Sequence, residues 1–77
     1  MEETLVFMAK KLVDNPEEVS VIREVKEDNT IVLKLRVAQE DMGKVIGKQG
    51  KIAKAMRSII KVIAIRENQR VVVDIID

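Results

Sequence analysis

The chain contains neither cysteine nor histidine. It therefore has no disulfide, no thiol nucleophile, no histidine general base and no zinc site built from these residues. Little enzyme chemistry survives these absences. We expect a protein that is not an enzyme, with no catalytic residues, no cofactor and no metal site.

Aromatic residues are almost as scarce, since Phe7 is the only one and both tryptophan and tyrosine are absent. Nucleic-acid modules that stack bases on surface rings need several aromatic side chains. The RRM and the OB-fold are therefore excluded as classes of binding module.

Long apolar runs are also missing, because no stretch reaches the roughly 18 residues of a membrane span. The chain begins Met1-Glu2-Glu3, with two acidic residues where a secretory signal has basic ones. We therefore expect a cytoplasmic protein. The 77 residues are 47% hydrophobic and 35% charged, a balance typical of a folded domain. We therefore expect residues 1–77 to form a single domain.

The net charge of +1 conceals an uneven distribution. Residues 1–41 carry ten acidic and six basic side chains, whereas residues 42–66 carry seven basic side chains and no acidic one. Residues 67–77 carry three acidic side chains and one basic. A basic centre between acidic flanks indicates an anionic partner.

Apolar periodicity predicts an α+β fold, a three-stranded sheet with helices packed on one face. The predicted order is helix, strand, strand, short helix, helix, strand. These elements span residues 2–13, 19–26, 31–37, 39–46, a helix beginning at residue 51, and 70–76. Asp14-Asn15-Pro16 is expected to end the first helix, because proline disfavours the helical conformation of the residue before it.

The last two helices have expected inner and outer faces. In the short helix, Met42, Val45 and Ile46 are expected to point inward. The core stripe predicted for the last helix is Ile52, Ala55, Met56, Ile59, Ile60 and Ile63, and its opposite face is Lys51, Lys54, Arg57, Ser58 and Lys61. Further apolar residues widen this stripe and predict self-association: Val62, Ala64 and Ile65.

All three glycines, Gly43, Gly47 and Gly50, lie within eight residues, and the segment from Gly47 to Gly50 separates the two helices. Backbone N–H groups at such a restart favour phosphate, and glycine lets a sugar-phosphate chain approach closely. A plain helical corner with Gly47 as a cap is the alternative. The acid-free basic segment around the glycines favours a phosphate cradle.

Residues 45–52 read VIGKQGKI and resemble the signature of KH domains, in which a GXXG loop clamps about four nucleotides of single-stranded RNA. The order of elements resembles the type II KH topology over the whole chain. The resemblance implies RNA contact through the loop and its neighbours. With the basic residues around the loop, the expected RNA-binding set is Lys44, Ile46, Gly47, Lys48, Gln49, Gly50, Lys51 and Lys54.

The resemblance to small stand-alone bacterial KH proteins also implies partners and a cellular role. It implies a homodimer or a heterocomplex with a larger KhpB-like protein. It further implies an RNA chaperone or post-transcriptional regulator linked to cell-wall growth, cell shape and cell length.

Two alternatives stay open. The domain could be a protein–protein adaptor on a KH scaffold with little RNA binding of its own, and the lysine face of the last helix could simply be solvated. A P-loop is rejected, because Gly43 and Gly47 are separated by three residues and Gln49 follows Lys48. Adjacent carboxylates, such as Glu40 and Asp41, are expected on the solvated surface.

Overall fold

The computed structural model describes residues 1–76 and contains three helices and three strands in the predicted order. Three short 3-10 turns lie at Pro16–Glu18, Gln39–Asp41 and Lys48–Gly50. The helices and strands are α1 (Glu2–Leu12), β1 (Ser20–Val25), β2 (Ile31–Arg36), α2 (Met42–Ile46), α3 (Lys51–Arg66) and β3 (Val71–Ile76).

The helix ends follow from local chemistry. Acidic Glu2 and Glu3 lie in the first turn of α1 and basic Lys10 and Lys11 in its last turn, where each sign complements the helix dipole. Asn68 has a positive φ of 55° and ends α3 in a left-handed turn, in which the Gln69 N–H donates to the Ala64 carbonyl. No helix within residues 1–76 combines the length and the apolarity that crossing a membrane requires.

The sheet is mixed, with strand order β1-β2-β3. β1 pairs antiparallel with β2, from Ser20 opposite Arg36 to Val25 opposite Ile31. β2 pairs parallel with β3, so both strands begin at the same end of the molecule. The hairpin turn and the α3–β3 turn both lie at that end. Because α3 is about 24 Å long, its first residue lies near the opposite end of the molecule.

The core lies between α1, α3 and one face of the sheet. The most completely buried side chains come from α1, α3 and the sheet, and also from α2. They include Leu5 and Ala9 of α1, Leu33 and Leu35 of β2, Val45 of α2, and Met56 and Ile60 of α3. The α+β architecture with helices on one face is confirmed.

The buried face of α3 differs from the predicted stripe. Ala55 and Ile59 are exposed, Ile59 by 45%, whereas Ala53 and Ala64 are buried in the core. The set with Ile59 and the set with Ala53 both recur at helical spacing, and the sequence pattern favours the set with the larger apolar side chains. Because α3 packs with Ala53 and Ala64 toward the core, Ile59 lies at the surface.

Candidate nucleic-acid interface

The segment Gly47 to Gly50 forms a tight turn between α2 and α3. The Gly47 N–H donates to the Gly43 carbonyl at 2.9 Å and closes α2. The next residues make one 3-10 turn, in which the Gly50 N–H donates to the Gly47 carbonyl at 3.1 Å. Positive φ values of 75°, 57° and 75° at Gly47, Gln49 and Gly50 reverse the chain within four residues.

Two of the backbone N–H groups that were expected to bind phosphate are hydrogen-bonded within the turn itself. Besides the Gly50 N–H, the Lys51 N–H donates to the carbonyl oxygen of Lys48. A phosphate chain that approaches the turn therefore first meets the exposed side chains of Lys48 and Gln49. Charged and polar side chains are therefore a main part of what this turn offers an anion.

The positive charge beside the turn is uncompensated at three lysines. Lys48, Lys51 and Lys54 are exposed, and none of them forms an ion pair with any part of the chain that the structure describes. They lie in the turn and the first turn of α3, so their ammonium groups can reach one anionic strand together.

Lys44 is placed differently from the other lysines of the predicted set. Its Nζ donates a hydrogen bond to the Asp14 carboxylate and lies 3.7 Å from Oδ1 of Asp41. The bond to Asp14, with the negative charges of Asp14 and Asp41, raises the pKa of Lys44 above its ordinary value of 10.5, although burial alone lowers it. Two carboxylates thus largely compensate this charge.

The two apolar residues that flank the turn have different surroundings. Ile46, expected to point inward, is 36% exposed at the end of α2 and offers apolar surface beside Gly47. Ile52 is half-buried and packs beneath Gly47. Ile46 is therefore available to a ligand, whereas Ile52 supports the turn.

The basic face of α3 divides between two sides of the helix. Lys51 borders α1, while Arg57 donates from Nε to the Val73 carbonyl of β3 at 3.1 Å and Lys61 lines a hollow beside the start of β3. Lys54 is also exposed on this basic face of α3. Arg57 thus connects α3 to the sheet as well as contributing charge.

An apolar hollow of about 400 Å³ between α1 and α3 was not predicted. Phe7, 63% exposed, and Ile59 line it, and Lys11 Nζ lies 5.2 Å from the centre of the Phe7 ring. Val62 and Ile65 are also exposed on α3, by 55% and 63%. The signal in the sequence is Phe7 itself, a large apolar residue of α1 that is not among its buried residues, Leu5 and Ala9.

Comparison with known proteins gives one consistent result. The family model described as "KhpA/KhpB, KH domain" matches residues 2–75. The RNA-binding protein KhpA of Clostridium acetobutylicum is 59% identical over 76 residues, which cover 99% of this chain and 100% of the relative. The KhpA proteins of Clostridium perfringens, at 57% with the same coverage, and of Chlamydia trachomatis, at 44% over 100% of this chain and 97% of the relative, are also similar. No solved structure matches the chain significantly.

Proposed function

The chain belongs to the KhpA/KhpB family of KH domains, and from this we propose that it is a single-domain protein that binds single-stranded RNA and has no enzymatic activity. The observation that carries the proposal is the exposed, acid-free turn from Gly47 to Gly50, with three uncompensated lysines around it. The relatives named RNA-binding protein KhpA support it.

In this proposal the RNA backbone crosses the turn between α2 and α3. Lys48 pairs with a phosphate, Gln49 donates or accepts a hydrogen bond, and the absence of a side chain at Gly50 lets the strand come close. Gly47, whose missing side chain faces Ile52, sets the shape of the turn. Lys51 and Lys54 contact the adjoining phosphates, since both are exposed and lie in the first turn of α3. The partial positive charge at the start of α3 adds to this attraction.

The binding is proposed to tolerate many RNA sequences. Ile46 offers an apolar surface to a base or ribose, but the predicted set contains no aromatic ring on which a base could stack. Contacts to phosphate carry no sequence information by themselves. A tolerant grip suits a cytoplasmic RNA chaperone or post-transcriptional regulator, and the family resemblance suggests a role in cell-wall growth and cell length.

We further propose that the working form is a homodimer or a heterocomplex with a KhpB-like protein. The helix layer exposes Phe7 and Ile59, which line one hollow between α1 and α3, and also Val62 and Ile65 further along α3. Exposed apolar surface of this kind marks interaction sites in small proteins. We call these four residues the apolar patch.

The apolar patch also favours a second candidate function, that of a protein–protein adaptor. In that function the patch binds the partner and the basic turn contributes little. The two functions differ in what the isolated chain does with RNA.

A titration of the purified chain with a labelled single-stranded RNA of about 12 nucleotides separates the two functions. The proposed function gives saturable binding, weaker binding to a duplex of the same sequence, and competition by unlabelled single strands. Absence of saturable binding at low salt, in a sample that binds a KhpB-like protein, assigns the chain to the adaptor class.

A further inference from the structure

Asp41 is completely buried, although the sequence placed it on the solvated surface. A buried carboxylate is costly unless hydrogen-bond donors surround it. Three donors meet it: the Asp14 N–H reaches Oδ1 at 3.1 Å, and the N–H and Nδ2 of Asn15 reach Oδ2 at 3.1 and 3.0 Å. The Lys44 ammonium lies 3.7 Å from Oδ1.

These bonds connect two segments that are distant in the sequence. Asp14 and Asn15 form the turn after α1, whereas Asp41 immediately precedes α2. Lys44 adds a second connection, because it bonds Asp14 from within α2. We call Asp14, Asn15, Asp41 and Lys44 the Asp41 clamp.

The clamp lies at the start of α2, the helix that leads into the Gly47 turn. α2 has only five residues, too few for a helix to be stable without tertiary contacts. Its tertiary contacts include the buried side chain of Val45, the partly buried side chain of Met42, and the clamp, which holds the residue before the helix and Lys44 within it. Because the Gly47 N–H is bonded back to Gly43, a shift of α2 moves the start of the turn with it.

We propose that the Asp41 clamp is a positioning device that holds α2, and with it the turn from Gly47 to Gly50, in the geometry that receives RNA. Lys44 acts in this clamp and is not a phosphate ligand. Turning Lys44 toward a phosphate would remove it from both Asp14 and Asp41. The consequence for affinity rests on the proposed RNA binding, whereas the consequence for the order of the turn does not.

The first test measures the order of the turn without RNA. Asp41→Asn keeps the size of the side chain but offers one oxygen to the three donors, and Asn15→Ala removes one donor only. Amide hydrogen exchange at residues 47, 50 and 51, whose N–H groups are bonded in the turn, should accelerate about tenfold more than exchange of the β2 amides in Asp41→Asn, and less in Asn15→Ala. If Asp41→Asn does not fold, the exchange rates of Asn15→Ala still test the proposal.

The matched control is Asp28→Asn. Asp28 also accepts a bond from a backbone N–H, that of Thr30 at 3.0 Å, but it lies in the hairpin turn at the other end of the molecule. The Asp28→Asn variant changes the charge equally and should not accelerate exchange at residues 47, 50 and 51 beyond that of the β2 amides. If the clamp variants that fold leave exchange at the turn no faster than Asp28→Asn does, the clamp does not position the turn.

The second test separates positioning from charge. At a temperature well below melting, Asp41→Asn should bind single-stranded RNA about tenfold more weakly than Asp28→Asn, with an unchanged dependence of affinity on salt. Lys44→Met should likewise keep the salt slope, whereas Lys48→Met should make it shallower by about 0.7. A slope lowered equally by both lysine variants makes Lys44 a phosphate ligand and overturns its assignment to the clamp. If the unmodified chain does not bind RNA, the proposed function fails, while the exchange measurement still decides on the clamp.

Discussion

Gly47 lies directly against Ile52, so that a β-carbon on Gly47 would come within 2.6 Å of Cγ1 and 2.9 Å of Cδ1 of Ile52. The backbone of Gly47, at φ 75° and ψ 173°, also lies in a region that is essentially restricted to glycine. Gly50, at φ 75° and ψ 15°, has more room, since its nearest neighbour would be Lys54 Cε at 4.0 Å. The two glycines of the turn are therefore not equivalent.

This difference predicts unequal effects of alanine on stability. Gly47→Ala should lower the free energy of unfolding by about 2 to 4 kcal/mol, because steric overlap adds to backbone strain. Gly50→Ala should cost about 1 kcal/mol, from the left-handed backbone alone. Urea denaturation of both variants measures the difference, and equal losses would show that Ile52 readily moves aside.

The buried carboxylate of Asp41 predicts a pH dependence. Burial alone raises the pKa of Asp41, but the bonds from Asn15 and from the Asp14 amide, with the charge of Lys44, hold it below the ordinary 3.8. As the pH falls below about 4, the unfolded chain takes up this proton first, so the free energy of unfolding decreases until the folded pKa is passed.

Asp41→Asn should therefore flatten the acid limb of the stability curve below about pH 5. The pKa of Asp28 is also held low, mainly by the Thr30 amide, so some dependence remains in the variant. Urea unfolding at several pH values tests this, and parallel curves for the two proteins would contradict the assigned role of Asp41.

The apolar patch predicts an effect on association. Val62→Glu places a charge in a contact that excludes water, so the proportion of dimer, or capture of a KhpB-like partner, should fall strongly. Gln39→Glu adds the same charge at an exposed position of the Gln39–Asp41 turn, away from the four patch residues in the chain, and is the control. Light scattering at high micromolar concentration measures the proportion of dimer. If the unmodified chain is monomeric and captures no KhpB-like partner, the proposed role of the apolar patch in association is wrong.

The three uncompensated lysines predict a salt dependence. If Lys48, Lys51 and Lys54 each neutralise one phosphate, the slope of log affinity against log salt for single-stranded RNA is about −2. Anisotropy titrations at four or five salt concentrations give this slope. A flat response would mean that charge is not the main source of affinity.

The sequence predicts the order of elements because most of them have a clear apolar period and a local signal at their ends, although Val21 and Ile22 break the alternation of the first strand. Pro16 after α1 and Gly47 after α2 are such signals. The rotation of α3 is less predictable, since the set with Ala53 and the set with Ile59 both fit a helical period. Only packing against α1 and the sheet shows which of them is buried.

The Asp41 clamp could not be predicted for a different reason. Its bonds join residues 26 and 27 positions apart, and the sequence shows only an acidic residue near a helix start, where a solvated carboxylate is common. The same limitation applies to Lys44, which the charge pattern groups with Lys48 and Lys51. The three-dimensional arrangement alone separates a paired lysine from unpaired ones.

The central claim is that the turn from Gly47 to Gly50 binds RNA, and replacing Lys48 and Gln49 together by Asp tests it most directly. Both side chains are exposed, so the double variant should keep its circular dichroism and its melting temperature while the negative charges repel phosphate. The control, Lys26→Asp with Asn29→Asp, makes the same charge change in the hairpin turn at the other end. In one titration with single-stranded RNA, the account predicts that the first variant loses binding and the control keeps most of it. A folded first variant that binds as tightly as the control would contradict the account.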